Sequence, residues 1–160
     1  MGRFSEAIRQ LHAAQDLDPL ALGINTGLGQ SYYFQRDFDS AIQVYEKTLA
    51  LEPKFNMARF NLAAELLQKN LAQRSIEEYE TAVRADPNDA GTLWELGQAY
   101  AIAGRTPDAH RVLEQVLAMA AKRYVSQPFI AWIYAGLKGK EAAFQCLKKG
   151  LEDRAWPWYF

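Results

Sequence analysis

Few residues in this 160-residue chain have the types and spacing that chemistry needs. Neither His12 nor His110 has a second histidine at i+4, and no H-E-x-x-H is present, so no helical zinc pair forms. Cys146 is the single cysteine, which excludes an internal disulfide and a multi-cysteine zinc site. Its neighbours Phe144, Leu147 and Leu151 place it on an apolar helix face, where a thiol reads as packing. Glu77, Glu78 and Glu80 crowd one helical turn and read as a solvated face rather than an acid/base pair. Gly23, Gly27 and Gly29 superficially look like a phosphate-cradling loop, but no strand precedes them. Close approach of two helix backbones is the better use for these glycines. No G-x-S-x-G elbow occurs. The chain is therefore expected to be a non-enzyme, with no metal and no cofactor.

Composition narrows the classes further. Apolar residues make up 49% and charged residues 23%, which suits a globular chain rather than a disordered one. Eighteen basic and nineteen acidic residues give a net charge of −1, against a globally basic nucleic-acid binder. No apolar run approaches the roughly 18–20 residues that span a bilayer. The first residues carry no apolar signal segment, and Glu6 breaks the myristoylation pattern at Gly2. A cytoplasmic location is expected, with a periplasmic domain of a larger membrane-tethered protein as the alternative.

The elements that hold these residues follow from an internal period. Pro19, Pro53 and Pro87 are 34 residues apart, and Ala121 stands at the next step. In the same phase run Ala7, Ala41, Ser75, Ala109 and Ala143, then Leu28, Leu62, Leu96 and Ile130. Gly29, Ala63, Gly97 and Ala131 follow one residue later, and Tyr32, Leu66, Tyr100 and Tyr134 three further on. Apolar residues at i, i+3, i+4 and i+7 make one face of a helix. A proline cannot sit inside one, so each proline opens a unit. Each unit is a pair of antiparallel helices. The spacing predicts A-type helices near 22–35, 56–69, 90–103 and 127–137. B-type helices are predicted near 5–17, 39–51, 73–85, 107–121 and 140–153, with Asp39, Pro107 and Asp108 as helix-start residues.

The sequence Leu28-Gly29-x-x-Tyr32, then Ala41-x-x-x-Tyr45, then Pro53 resembles the tetratricopeptide repeat, and Leu96-Gly97-x-x-Tyr100 with Ala109 repeats it. The resemblance covers nearly the whole chain and implies an all-α, right-handed superhelical solenoid of antiparallel helix pairs. One domain over 1–160 is expected: a B half-repeat at 1–21, full repeats at 22–55, 56–89 and 90–123, a divergent repeat at 124–157 and a tail at 158–160. The early tryptophan of the family pattern is replaced by Asn25, Arg59 and Leu93, and the last turn, Leu137-Lys138-Gly139-Lys140, carries its glycine one place late. The C-terminal stretch from Ile130 through Phe144, followed by Glu152-Asp153-Arg154, looks like the last repeat of certain bacterial multidomain regulators. That second resemblance implies a preceding output domain.

The family resemblance also implies a concave groove lined by A-type helices. Transferred position by position, it selects Thr26, Gln30, Tyr33 and Phe34, then Phe60, Asn61 and Gln68, then Trp94, Glu95 and Gln98, then Phe129 and Trp132. Aromatics flanked by amides have the composition of a peptide-anchoring set. The carboxylate clamp of chaperone-binding members is expected to be missing. Only Asn61 matches it, while Thr26, Gln30, Gly91 and Glu95 stand where its other polar and basic groups belong. The expected function is a protein–protein interaction module that binds a peptide or helix, as part of a larger regulatory or scaffold protein. Self-association through uncapped ends is the alternative, carried by Phe4, Ile8 and Leu11 at one end and Trp156-Pro157-Trp158-Tyr159-Phe160 at the other. Those last residues read as a cap on the final helix or as a docking patch, and the chain is expected to be a fragment or to associate with a second copy. RNA binding is the minor alternative, weakened by basic residues that are scattered and balanced by acids.

Overall fold

The structure, a computed structural model, describes residues 2–152, with side chains from Phe4 onward. The described residues form nine helices and no strand. In chain order these are α1 (Gly2–Leu17), α2 (Leu22–Phe34), α3 (Phe38–Leu51), α4 (Asn56–Gln68), α5 (Ala72–Ala85), α6 (Ala90–Ile102), α7 (Thr106–Ala120), α8 (Gln127–Gly136) and α9 (Lys140–Glu152). The even-numbered helices from α2 are the A-type and the odd-numbered ones the B-type, close to the bounds that the period predicts. The aromatic end, Trp156 to Phe160, and with it the tail of the last repeat, lies outside the described residues.

Two compact units are present, Met1–Glu78 and Tyr79–Phe160, with the division falling inside α5. In the first, Ala41, Ile42, Tyr45, Ala58, Leu62 and Leu66 form a buried cluster, with Tyr32, Leu49 and Phe55 packed against it. In the second, Leu93, Leu96, Val112, Leu113, Val116, Ile130 and Ile133 are buried. Small residues of one repeat phase, Ala41, Ser75, Ala109 and Ala143, are all buried, as are Leu28, Leu62, Leu96 and Ile130 of another. Serine fits among the alanines because its hydroxyl has an outlet: Ser75 Oγ donates to the Ala63 carbonyl at 2.7 Å. Gly29 allows the closest approach, since a Cβ there would stand 2.6 Å from Cε1 of the fully buried Tyr45.

The A-to-B turns repeat as faithfully as the core. Arg36, Asn70, Gly104 and Lys138, each 34 residues after the last, all have positive φ, between 59° and 74°. Around each, the residue after the turn donates its N–H back across it: Asp37 to Tyr32, Leu71 to Leu66, Arg105 to Tyr100 and Gly139 to Tyr134, at 2.8–3.0 Å. This is the Schellman closure of a helix C-terminus, which satisfies carbonyls that the helix leaves open. In the last repeat the chain keeps this geometry with Lys138 at the left-handed position, and Gly139 sits beside it. At the helix starts Asp89 caps α6, accepting from the N–H groups of Gly91 and Thr92 at 3.0 Å each. Asp37 caps α3 through Ser40 N–H. Asp39, Pro107 and Asp108 lie in the first turns of their helices.

Candidate interaction surface

Within the first unit, α2 and α4 carry the residues selected for the groove. Thr26 turns its hydroxyl onto its own helix, donating to the Leu22 carbonyl at 2.8 Å. Gln30 and Gln68 are exposed, and Phe60 is half-buried. Phe34 stacks on Phe4 of α1 at 5.7 Å, and Tyr33 touches both Phe34 and Phe38 of α3. The two aromatics thus join an exposed cluster at the α2–α3 turn rather than standing apart as separate anchors. Phe4, one of the three α1 residues expected at an uncapped end, is partly covered by this stack.

Asn61 leads inward. Its Nδ2 is sealed from solvent, as are Tyr45 Oη and Glu65 Oε2, and none of the three makes a hydrogen bond of good geometry with a protein group. Glu65 is 3% exposed. Burial pushes its carboxyl from the ordinary 4.5 up to about 7. Burial first, and Glu65 second, hold the Tyr45 phenol above its usual range, while Asn61 opposes them. This polar pocket in an apolar core is a feature that sequence reasoning missed. The signal was available, because Glu65 shares its repeat phase with Ser31, Ala99 and Ile133, none of them charged.

Within the second unit, Trp94 of α6 and Phe129 of α8 stack at 5.3 Å with ring planes 13° apart. Trp132, one turn further along α8, is 51% exposed and Ile102 of α6 is 56% exposed. Gln98 lies between Trp94 and Ile102 on the same helix face, half-buried. Glu95 accepts a hydrogen bond from Tyr79 Oη at 3.2 Å. Burial pushes the Glu95 carboxyl up to about 7 against that hydrogen bond, so near neutrality it does not carry a full negative charge. Electrostatic repulsion of a carboxylate ligand by Glu95 is accordingly weaker than its residue type suggests. Among the described residues no three or more of His, Cys, Asp and Glu gather in a metal-binding arrangement. No described helix is long and apolar enough to cross a membrane.

The sequence pattern of the tetratricopeptide repeat family matches residues 26–90 and again 60–123, together more than half of the chain. The chain belongs to the tetratricopeptide repeat family. Its fold is the all-α helical repeat of that family. Cellulose synthase operon protein C of Escherichia coli K12 is 38% identical over 80 residues, half of this chain and 7% of that protein. The peroxisomal targeting signal receptor of Saccharomyces cerevisiae is 27% identical over 109 residues, 68% of this chain and 18% of the receptor. This tetratricopeptide chain thus spans under a fifth of the length of those curated relatives. Among solved structures, YrrB, described as a tetratricopeptide protein with an unusual peptide-binding site, superposes with a TM-score of 0.66 at 19% identity. That match covers 93% of this chain and 77% of YrrB.

Proposed function

We propose that this chain is a protein-interaction module that holds a peptide or helix of a partner against the exposed faces of its A-type helices. Its role is binding rather than catalysis. The observation that carries the reading is the apolar surface of α6 and α8, which carries the Trp94–Phe129 stack and also Trp132 and Ile102, both more than half exposed. Large rigid side chains in the open are costly to keep solvated, and such residues dominate binding energy where partners meet. The unusual peptide-binding site of YrrB and the targeting-signal receptor of yeast, neither of which is this chain, are consistent with such use. Affinity capture from a host lysate tests it, comparing the wild type with Trp132→Ala at matched helicity and melting. A protein retained by the wild type should fall about tenfold or more with the variant, corresponding to roughly 1–3 kcal/mol for one anchor. Equal retention would remove this face from the binding surface.

A second reading has one observation behind it. Phe4 and Phe34 stack at the surface while remaining 40% and 60% exposed, so this cluster can seat a second copy. Sedimentation over a range of concentrations separates the readings. Association lost on Phe34→Glu, with capture intact, would assign the cluster to self-association.

A further inference from the structure

Equivalent crevices between successive B-type helices are closed differently from one repeat to the next. Between α3 and α5, Arg74 Nη2 reaches Glu46 Oε1 across the crevice at 2.8 Å. Beside it, Arg59 Nη1 of α4 reaches Glu78 Oε2 of α5 at 2.5 Å. One repeat later, within the second unit, Tyr100 donates to Glu80 Oε1 at 2.7 Å and Gln115 Nε2 donates to the Pro87 carbonyl at 3.2 Å. Shifting back by 34 residues brings the first crevice, between α1 and α3 over α2. Here His12 and Ser40 stand in place of Glu46 and Arg74, and Asn25 and Val44 in place of Arg59 and Glu78. Neither ion pair can form. Lys47 occupies the phase of Gln115, and among the described residues it is in no ion pair.

What remains is an open cleft of about 360 Å³. Its walls are held by polar bonds, with Gln15 Nε2 donating to Asn25 Oδ1 at 2.6 Å and His12 Nε2 sharing a hydrogen bond with Tyr32 Oη at 3.0 Å. His12, Gln15, Tyr32, Ser40, Gln43 and Lys47 are among its polar lining residues, and no carboxylate is among the residues that line it. The size is at the small end of ligand pockets, too small for a helix and sufficient for a chain end or a small acid. An ammonium in a lining that also holds amides and an imidazole and contains no carboxylate selects an anion. A carboxylate matches that donor set, because each of its oxygens accepts charge-assisted hydrogen bonds.

We propose that the cleft between α1 and α3 is a second binding site on this chain, one that takes a ligand carboxylate at Lys47. The carboxylate belongs either to a small free acid or to the carboxyl terminus of a peptide. The cleft opens between the B-type helices α1 and α3, and the residues that α2 adds to its lining, Asn25, Leu28 and Tyr32, are not among those of the A-helix face discussed above.

The test is a backbone-amide NMR titration of the full chain with four probes: N-acetylglycine, N-acetylglycinamide, acetyl-trialanine as the free acid, and its amide. The two acids should shift Gln15, Tyr32, Ser40, Gln43 and Lys47, and the amides should bind about tenfold more weakly, the loss expected for one charge-assisted contact. Lys47→Met, which keeps the aliphatic stem, should weaken the acids by about the same factor at unchanged melting. The double variant His12→Glu/Ser40→Arg transplants the Glu46–Arg74 bridge into this crevice and should abolish the response while keeping the helicity. A peptide acid clearly tighter than N-acetylglycine supports a chain terminus as the source, and equal affinities support a small acid. Acids and amides shifting these residues alike, no shift at tens of millimolar acid, or an unchanged response in Lys47→Met would each overturn the site.

Discussion

Glu65 should make this protein less stable as pH rises through the neutral range, and Glu65→Gln should remove that effect. The folded carboxyl is pushed from the ordinary 4.5 up to about 7 by burial at 3% exposure. At about 1.4 kcal/mol per tenfold change in proton affinity, the difference amounts to about 3 kcal/mol. The sign follows from proton counting. Between pH 4.5 and 7 the folded chain keeps a proton that the unfolded chain has released, so folding stability falls as pH rises. Below that window both states are protonated and the contribution is complete. Above it both are ionised and the contribution is gone. Urea unfolding of wild type and variant, followed by circular dichroism at pH 4.5, 5.5, 6.5 and 8, isolates the group, because other titrations cancel in the difference. The stability of Glu65→Gln relative to wild type should climb by about 3 kcal/mol across the series, at matched urea dependence. A difference that stays flat within about 1 kcal/mol would refute the reasoning. It would mean that Tyr45, Asn61 or admitted solvent already satisfies the ionised carboxylate.

Other expectations are simpler to check. Gly29→Ala should destabilise by about 1–3 kcal/mol in thermal melts, because the new methyl meets the immobile Tyr45 ring, and a gain of helix propensity of about 1 kcal/mol offsets only part of this. Lys138→Gly should raise stability by up to about 1 kcal/mol, since its φ of 61° suits glycine. Asp89→Ala should cost about 1 kcal/mol by removing the acceptor for two N–H groups at the start of α6. In contrast Asp39→Ala, in the first turn of α3 but not its cap, should cost only a few tenths of a kcal/mol.

How much was legible in the sequence depended on whether a feature repeats. The helix pairs, the small-residue phase ending in Ala143 and the apolar phase from Leu28 to Ile130 are enforced by packing in every unit, so the period exposes them. Turn geometry was only half visible. Gly104 announces a left-handed residue, but Arg36, Asn70 and Lys138 adopt the same conformation because the backbone closure around them outweighs their side-chain preference. The surface was less legible, because an exposed aromatic and one that packs between helices look the same in one dimension. Trp94 and Phe129 find each other across α6 and α8, Phe34 finds Phe4 of α1, and Trp132 stays exposed. Glu65 is legible only as an exception: it is the one charged residue in a phase otherwise held by Ser31, Ala99 and Ile133, so it leaves no mark on the period itself.

Cys146 gives the molecule a built-in clock. It is half-buried on α9, and burial, opposed by Lys149, raises its thiol above the ordinary range. Only the thiolate attacks a maleimide or an aromatic disulfide at an appreciable rate, so the native side chain is protected twice, by cover and by protonation. Because the chain has no other thiol, each labelling event would report on the surroundings of this one side chain. Labelling speed as a function of urea would then time how often α9 parts from α8, separating local fraying of the last helix pair from unfolding of the whole chain.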